Sequence, residues 1–348
     1  MEQDPDRPQE KPDPVVDQTA RVTEARPMDE SRADEVGEEL SRRWPDVAER
    51  LDGDADADEP TDVRGWKQVV DELVEAGEER TADEIDTLID RADRSYPSLL
   101  GLRLTPDEQR LAFDPGQYVR ISFEEEEPRV YSLASSPNED ELELCITRVP
   151  GGELTPSLLD GAERGDDLFV RGPFGDELSL LDESDRYMVF VATGTGVAPL
   201  RSMIRYTFEE GLDSHDGENR DVWLFLGASW RDDLPYHAEF EELSREHENF
   251  HYVPTLSQER LLTDWVGETA YVQQTLVKYL AEGVDRERVP EELHGHLDSE
   301  ARYDIDARLD PENAELYICG VGRMCESVTD VTERLGLPER VSKVESYG

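Results

Sequence analysis

The pattern of hydrophobic and polar positions changes three times along the 348-residue chain and divides it into four parts. Residues 1–62 carry few large apolar side chains among many Pro, Asp, Glu and Arg, a composition typical of disorder. Residues 63–95 instead repeat apolar side chains at helical spacing. This spacing predicts two short helices of unknown role, with a break near Gly77 and with Thr81 as the N-cap of the second helix.

Residues 96–184 contain short apolar runs separated by turn signals such as Asp114-Pro115-Gly116. Six such runs predict strands: Leu100–Leu104, Leu111–Phe113, Tyr118–Phe123, Val130–Ala134, Leu142–Val149 and Leu168–Arg171. Only one stretch among them, Leu154–Leu159, has a helical pattern. Closely spaced strands with a single helix are typical of a small antiparallel β-barrel.

Residues 185–348 alternate apolar strands with amphipathic helices, which predicts a parallel, Rossmann-like α/β domain whose sheet is buried on both faces. The predicted fold is therefore a two-domain chain, α+β and then α/β, behind a disordered acidic tail. Within the second domain, residues 283–312 are rich in charge and are interpreted as an insertion. Its His294 and His296 are interpreted as part of a solvated loop rather than as metal ligands.

The charge balance is extreme, because 85 acidic residues face 36 basic ones and leave a net charge of −49. Such a chain repels itself unless salt screens it, so we interpret the surface as that of a halophile rather than of a protein that binds basic ligands. The same charge would repel phosphates and argues against nucleic acid as a partner.

Cysteine usage and hydropathy exclude further classes of protein. Cys145, Cys319 and Cys325 are too few and too scattered for a disulfide framework or for an iron–sulfur cluster held by four thiolates. No apolar run approaches the length of a membrane span, and the first residues lack the core of a signal peptide. We therefore expect a soluble, cytoplasmic protein with no cluster of its own and no membrane partner.

Two motifs in the predicted barrel have the chemistry of a phosphate site. Arg129-Val130-Tyr131-Ser132 places a guanidinium, which can bind phosphate through two hydrogen bonds, on a strand. Gly151-Gly152-Glu153-Leu154-Thr155 is a glycine turn that opens a helix, so it offers backbone N–H groups and a hydroxyl. Taken alone, the first motif also fits an ordinary barrel strand with an exposed arginine.

A third motif lies in the α/β domain. Thr193-Gly194-Thr195-Gly196-Val197-Ala198-Pro199 joins a buried strand to a helix with proline in its first turn, a geometry that can hold a dinucleotide pyrophosphate. It lacks the full G-x-G-x-x-G spacing, so a structural tight turn remains an alternative. Cys319-Gly320 ends another strand at the edge where ligands of such sheets bind, although Cys319 also fits a buried small residue.

Together these motifs resemble the ferredoxin–NADP reductase superfamily, in particular its bacterial ferredoxin (or flavodoxin) reductases. The resemblance runs from about Phe113 to the C-terminus. It includes, besides the motifs above, Pro115-Gly116-Gln117-Tyr118, Leu226-Gly227-Ala228-Ser229 with Tyr236, Tyr317-Ile318-Cys319-Gly320 and Val344-Glu345-Ser346-Tyr347.

The resemblance implies FAD and NADP(H) as cofactors. FAD would contact Arg129, Val130, Tyr131, Ser132, Gly151, Gly152, Glu153, Leu154 and Thr155, with Ser132 near the flavin N5. NADP(H) would contact Thr193, Gly194, Thr195, Gly196, Ala198, Pro199, Ser229, Arg231, Ser257, Cys319 and Gly320. Ser132, Cys319, Glu345 and Tyr347 would be the catalytic residues, with Cys319 near the nicotinamide C4 and Tyr347 stacked on the flavin.

The implied activity is hydride transfer between NADP(H) and FAD, with single electrons passed to or from ferredoxin or flavodoxin. Alternatives are the reductase component of an oxygenase, a free-flavin reductase or a non-enzymatic flavin redox sensor. One departure concerns the 2′-phosphate of NADP, because Ser257 is followed by Gln258 rather than by arginine. Arg231 or Arg260 could compensate, so NADP is favoured and NAD stays open.

Overall fold

The computed structural model describes residues 15–51, 58–123, 127–149, 151–152, 154–181, 184–337 and 342–347. Six strands of this described chain form one antiparallel sheet, with the spatial order β4-β3-β6-β1-β2-β5. Their bounds are β1 Val16–Pro27, β2 Leu99–Pro106, β3 Tyr118–Ser122, β4 Arg129–Ser132, β5 Leu142–Thr147 and β6 Asp167–Phe174. A bridge between Leu133 and Leu144 joins the two edges, so the sheet is a nearly closed barrel.

The prediction of a disordered tail through residue 62 is wrong for residues 16–51. β1 lies in the interior of the barrel sheet and pairs with both β2 and β6. Its Ala20 and Val22 are fully buried on the core face, while the charged Arg21 between them is exposed. Pairing with the strands on either side thus buries this segment, although its own sequence is polar. Conversely, the strand predicted at Leu111–Phe113 is absent, although both end residues are buried in the barrel core.

The described part of the chain between β1 and β2 contains three helices, which we call the helical module (residues 33–93): α1 Ala33–Arg50, α2 Val63–Glu75 and α3 Glu79–Asp93. α2 and α3 confirm the two predicted helices, and Gly77 between them has a φ of +82°. The predicted N-cap is wrong, because Glu78 is the N-cap and Thr81 lies inside α3. α1 was not predicted and lies within the supposed tail.

The second domain contains a parallel sheet with the order β11-β10-β7-β12-β13. Its strands are β7 Tyr187–Thr193, β10 Val222–Ala228, β11 Phe250–Leu256, β12 Ala314–Val321 and β13 Ser342–Tyr347, with a small hairpin of β8 Ser214–His215 and β9 Glu218–Asn219. Its helices are α5 Val197–Glu209, α6 His237–Glu246, α7 Val272–Leu276, α8 His294–Leu297 and α9 Gly322–Arg334, whereas α4 Leu154–Gly161 belongs to the barrel and connects β5 to β6. The predicted barrel followed by a parallel α/β domain is confirmed.

Two apolar clusters cover the faces of the parallel sheet, and one of them also includes barrel residues such as Leu99 and Ala134. Residues 283–312 are not simply a solvated loop, because Val289, Leu293 and Leu309 are buried in the other cluster. The His294 imidazole Nε2 lies 3.0 Å from the Val289 carbonyl within the same segment. Among the described helices, none combines the length and apolar character needed to cross a membrane.

Candidate functional site

β4 forms one edge of the barrel sheet and carries the first predicted motif. The Arg129 side chain is half exposed and pairs with Glu127 at 3.3 Å, while Val130 is 54% exposed. Tyr131 packs against the barrel core, and burial raises its pKa to about 12, so it remains a neutral phenol. Ser132 is half-buried and pairs with Tyr118 in the sheet register.

The glycine turn before α4 is open on its outer side. Gly151 has a φ of +74°, and no heavy atom lies within 4 Å of the position where a Cβ would be. The Gly152 amide donates to the Val149 carbonyl at 2.9 Å, and the Val149 amide donates to Thr155 Oγ1 at 3.0 Å. Leu154 is buried in the barrel core, so its side chain is structural. Glu153 lies outside the described residues.

These residues fit a flavin nucleotide. Val130 and Val149 leave apolar surface exposed beside the two motifs, which a planar aromatic ring could cover. Arg129 supplies a half-exposed cation, and the open glycine turn supplies backbone amides at a helix start. The assignment of individual FAD contacts stays a prediction.

A cleft of about 1090 Å³ lies between the carboxyl ends of the parallel strands and the barrel. Predicted nucleotide residues line it: Thr193, Gly194, Thr195, Ser229 and Ser257. On the barrel side the lining residues are Ser98, Leu99 and Thr147. Gly194 has a φ of +51° and no atom within 4 Å of its Cβ position, so a ligand can approach its backbone closely. This open turn at the start of α5 fits a pyrophosphate.

Gly196 lies on the packed side of the same turn, not on its open side. A Cβ at Gly196 would lie 2.3 Å from the Cys319 carbonyl oxygen, so the turn sits directly on β12. Ala198 and Pro199 are buried in the first turn of α5 and hold that helix against the sheet. These three residues therefore position the turn that lines the cleft.

Cys319 lies at the domain junction and is 1% exposed, within the apolar cluster that joins barrel and sheet. Burial raises the pKa of its thiol, which therefore stays protonated. It is not among the residues that line the cleft. At Gly320 a Cβ would lie 2.4 Å from the Met324 methyl group, so the strand end has no room for a side chain there.

β13 brings the predicted C-terminal residues beside this strand. Glu345 stands opposite Cys319 in the sheet register, and its buried Oε2 has no hydrogen-bond partner among the described residues. Burial, and then the nearby Glu177, raise the pKa of Glu345. The backbone of Tyr347 pairs with Val321 at the rim of the cleft, whereas its side chain lies outside those that the structure describes.

The loops after β10 and β11 do not place the expected arginine in the cleft. Arg231 is exposed and lines a neighbouring hollow of about 860 Å³, while its backbone amide donates to Glu259 Oε2 at 2.7 Å. The Gln258 amide donates to the Ser229 carbonyl at 3.0 Å and so holds the two loops together. Arg260 is exposed and does not line the cleft either.

Arg94 lines the cleft instead, which sequence reasoning missed. It follows α3, and its guanidinium donates to both carboxylate oxygens of Asp233 at 3.0 and 2.5 Å. Arg94 lies shortly before Ser98 in the chain, and Ser98 also lines the cleft. In the sequence, Arg94 is only a cation between a predicted helix and a predicted strand. No pattern there indicates that its side chain reaches the cleft.

Arg201 is a second residue that sequence reasoning missed. It is 1% exposed on α5, and its Nη1 donates to the Ala134 carbonyl at 2.6 Å. Its Nε lies 2.9 Å from Glu239, and its guanidinium stacks 4.4 Å from the Tyr236 ring centre. The helix that follows the Gly194 turn is thereby attached to the chain that follows β4. The feature of the sequence that could have indicated this role is an arginine among the apolar residues of α5.

Two family models match the chain on either side of this cleft. Residues 96–177 match an oxidoreductase FAD-binding domain, and residues 190–330 match an oxidoreductase NAD-binding domain. Ferredoxin–NADP reductase B of Sorangium cellulosum is 34% identical over 247 residues, which cover 69% of this chain and 88% of that protein. The chain belongs to the ferredoxin–NADP reductase family. It is accordingly an FAD- and NAD(P)-binding oxidoreductase.

Other members of the family resemble the chain over part of their length. The phenol hydroxylase P5 protein of Acinetobacter pittii is 32% identical over 195 residues, and this chain spans only 53% of that protein. Two solved structures share the fold at low identity. The Amycolatopsis cytochrome P450 reductase GcoB has a TM-score of 0.61 at 23% identity, covering 96% of this chain and 70% of that one. A Neisseria gonorrhoeae ferredoxin NADP⁺ reductase with bound FAD and NADP has a TM-score of 0.54 at 19% identity, covering 72% and 93%.

Proposed function

We propose that this protein is a ferredoxin–NADP reductase, which takes a hydride from NADPH on its FAD and passes single electrons to a ferredoxin or flavodoxin. The observation that carries the proposal is the cleft, in which the open Gly194 turn faces barrel residues Leu99 and Thr147. Two nucleotide sites would thus meet at one domain junction. The near-complete coverage of a ferredoxin–NADP reductase by this chain supports the same class.

The chain's own residues would bind and orient the reactants, because bound FAD itself supplies hydride and one-electron chemistry. Arg129 and the turn at Gly151-Gly152 would hold the flavin pyrophosphate, and Ser132 would donate a hydrogen bond at its N5. Gly194 and Thr195 would hold the nucleotide pyrophosphate. Ser229 and Ser257 would contact the adenosine end. Val130, Leu154, Thr155, Thr193, Gly196, Ala198, Pro199 and Gly320 would complete the two sites.

Three residues near the strand ends of β12 and β13 would act on the nicotinamide side. The Cys319 thiol and the Glu345 carboxyl stand at the same level of the sheet but do not line the cleft in this structure, and they would meet the nicotinamide when Tyr347 moves aside. Burial raises the pKa of both groups and so disfavours a negative charge beside the transferred hydride. Tyr347 would cover the flavin until the nicotinamide displaces it.

The acidic surface leads to a proposal about working conditions. A net charge of −49 makes the folded chain repel itself, so we propose that the protein is halophilic and that its acceptor docks at high salt. At about 1 M salt the Debye length is roughly 3 Å, and charge steering between acidic partners would be screened. Apolar contact would then dominate docking. An association with ferredoxin that weakened steeply as salt rose through this range would contradict the proposal.

The central experiment is steady-state reduction by NADPH and NADH in parallel at high salt, with ferredoxin or free FMN as the acceptor. We expect a yellow protein that reduces ferredoxin faster than free FMN and that prefers NADPH. A colourless preparation that takes up no FAD would refute the assignment. A protein that binds flavin but reduces no acceptor catalytically would instead be a redox sensor.

A second candidate function is the reductase component of an oxygenase. It is favoured by relatives such as the phenol hydroxylase P5 protein and the reductase component of phenol 2-monooxygenase, of which this chain spans about half. Faster reduction by NADH than by NADPH, together with transfer to an oxygenase but not to a free ferredoxin, would decide for this candidate.

A further inference from the structure

The helical module is an insertion in the first hairpin of the barrel. β1 and β2 pair antiparallel along their length, from Ala20 opposite Pro106 to Pro27 opposite Leu100. Antiparallel neighbours are usually joined by two to five residues, whereas here residues 28–98 intervene. The matched FAD-binding model begins at residue 96, so the helical module lies outside both matched models.

The module packs on the nucleotide domain rather than on the barrel alone. Its apolar core includes Trp230, Leu261 and Leu262, which belong to the loops that follow β10 and β11. The Arg43 guanidinium also donates to the Leu261 carbonyl at 2.9 Å. These are the loops whose Ser229 and Ser257 line the nucleotide cleft.

A cluster of ion pairs fastens the two ends of the insertion to the same loops. Before α1, Arg32 lies 2.8 Å from Glu259. At the end of α3, Arg91 lies 2.5 Å from Asp232, and Arg94 lies 2.5 Å from Asp233. Apart from Arg94 and Asp233, the residues of this cluster are nearly inaccessible to solvent. The cluster is therefore a buried ion-pair network and not a surface ion pair.

Arg94 is the member of this cluster that enters the cleft. Its side chain is 27% exposed and lines the cleft together with Ser98 and Gly194. Among the described residues that line the cleft, the cations are Arg94 and Arg323, and the acid is Asp233. A dinucleotide brings at least two negative charges into a chain whose net charge is −49, so a local cation is needed there.

We propose that the helical module is part of the nicotinamide nucleotide site and that Arg94 is its phosphate-binding residue. In the structure described here Asp233 holds the Arg94 guanidinium at the wall of the cleft. A phosphate group of the nucleotide binds the guanidinium on its cleft side and shares it with Asp233. The inference rests on the nucleotide half of the proposed function and is independent of the electron acceptor.

The directions in which two substitutions change the nucleotide affinity distinguish phosphate binding from a purely structural role. Arg94→Gln removes the cation, whereas Asp233→Asn removes its competing anion, and both break the same ion pair. For a phosphate ligand, Arg94→Gln weakens nucleotide binding about 10- to 100-fold, the range for a lost charge-assisted hydrogen bond. Asp233→Asn leaves the affinity unchanged or increases it. For a mere structural joint, both substitutions weaken binding alike.

The measurement is the equilibrium Kd of NADPH, NADH, ADP-ribose and 2′-AMP for the full-length, FAD-loaded protein, by calorimetry. Arg286→Gln is the matched control, because Arg286 makes a two-pronged pair with Asp298 in the 283–312 segment, outside the residues that line the cleft. Arg94→Lys retains the charge and is expected to recover part of the affinity. FAD content is measured for every variant to verify folding.

Equal losses for NADH and ADP-ribose assign Arg94 to the pyrophosphate, and losses confined to NADPH and 2′-AMP assign it to the 2′-phosphate. Both results support the proposal. A Kd for Arg94→Gln within twofold of wild type for all four probes overturns it, as does an equal loss in Asp233→Asn. If Arg94→Gln does not fold, the direction of the change in Asp233→Asn decides. Wild-type protein that binds nucleotide but reduces no acceptor refutes the proposed function alone.

Discussion

Arg201→Met tests whether one buried guanidinium keeps the nucleotide domain aligned with the barrel. Methionine retains most of the length of the side chain but removes the charge and all its hydrogen bonds. The substitution leaves the Ala134 carbonyl without its 2.6 Å donor and leaves Glu239 without its pair at 2.9 Å. It also removes the cation that stacks on Tyr236.

The expected loss follows from the burial of the guanidinium and of Ala134, whereas Glu239 is one-third exposed. Removing one partner of a buried ion pair costs about 3–5 kcal/mol, because the other charge is left uncompensated. Arg201 also lies 3.6 Å from Glu143, but after the substitution Glu143 keeps Arg103 at 3.1 Å and Glu239 keeps Arg205 at 3.5 Å. We therefore expect the lower end of that range, about 3 kcal/mol.

Arg205→Met is the matched control, one helical turn further along α5. Arg205 is one-third exposed and pairs with Glu139, Glu209 and Glu239 at 3.3 to 3.5 Å. Partly exposed pairs of this kind contribute about 0.2–1 kcal/mol each. We expect the control to lose less than about 1 kcal/mol in total after solvent screening.

The assay is urea unfolding followed by flavin fluorescence and circular dichroism, together with stopped-flow reduction by NADPH. If Arg201 aligns the two domains, hydride transfer in Arg201→Met slows by up to about 10²-fold, as expected for a misplacement of about 1 Å. FAD content and the Kd of the nucleotide stay near wild type. Equal losses of stability in the two variants, or an unchanged hydride-transfer rate, would refute this reasoning.

Further predictions concern the glycine turn, pH and salt. Gly196→Ala places a Cβ 2.3 Å from the Cys319 carbonyl oxygen and is expected to cost about 1–3 kcal/mol and to weaken nucleotide binding, measured by unfolding and calorimetry. Gly161→Ala, which meets no atom within 4 Å, should change stability by less than about 1 kcal/mol. Burial raises the pKa of Glu259, but hydrogen bonds from Arg32 and the Arg231 amide outweigh burial and hold that pKa below its ordinary 4.5. The stability difference between wild type and Glu259→Gln should therefore be complete at about pH 6 and shrink as pH falls below that value, and a difference that grew on acidification would contradict it. Finally, the melting temperature should rise by several degrees between about 0.1 and 1 M KCl as screening increases, and a fall would argue against a halophilic surface.

Local patterns predicted most of the fold after residue 96. The strands around Tyr118, Arg129 and Leu142, and the alternation of strands and helices after Tyr187, follow from periodicity and turn residues. These signals are local, so they remain readable without the tertiary structure. The missed strand β1 shows the limit, because its two fully buried apolar residues, Ala20 and Val22, are separated by the exposed Arg21 and flanked by polar residues. Its burial comes from β2 and β6, which are distant in sequence.

The site divides in the same way. The glycine turns at Gly151 and Gly194 could be predicted, since a positive φ at an open turn favours glycine whatever lies nearby. The sequence offered Arg231 or Arg260 as the cation that compensates for Gln258. The structure instead turns Arg231 toward a neighbouring hollow and brings Arg94 into the cleft.

The sequence by itself thus determined the two-domain plan, the two glycine turns and the acidic surface, because each depends on residue types within a short stretch. The tertiary structure decided the place of β1, the position of the helical module on the nucleotide loops, and which arginines enter the domain junction. Arg94 donates hydrogen bonds to Asp233, 139 positions away, and Arg201 donates one to Ala134, 67 positions away. Such pairings depend on how distant elements cross in space, and no local pattern records that.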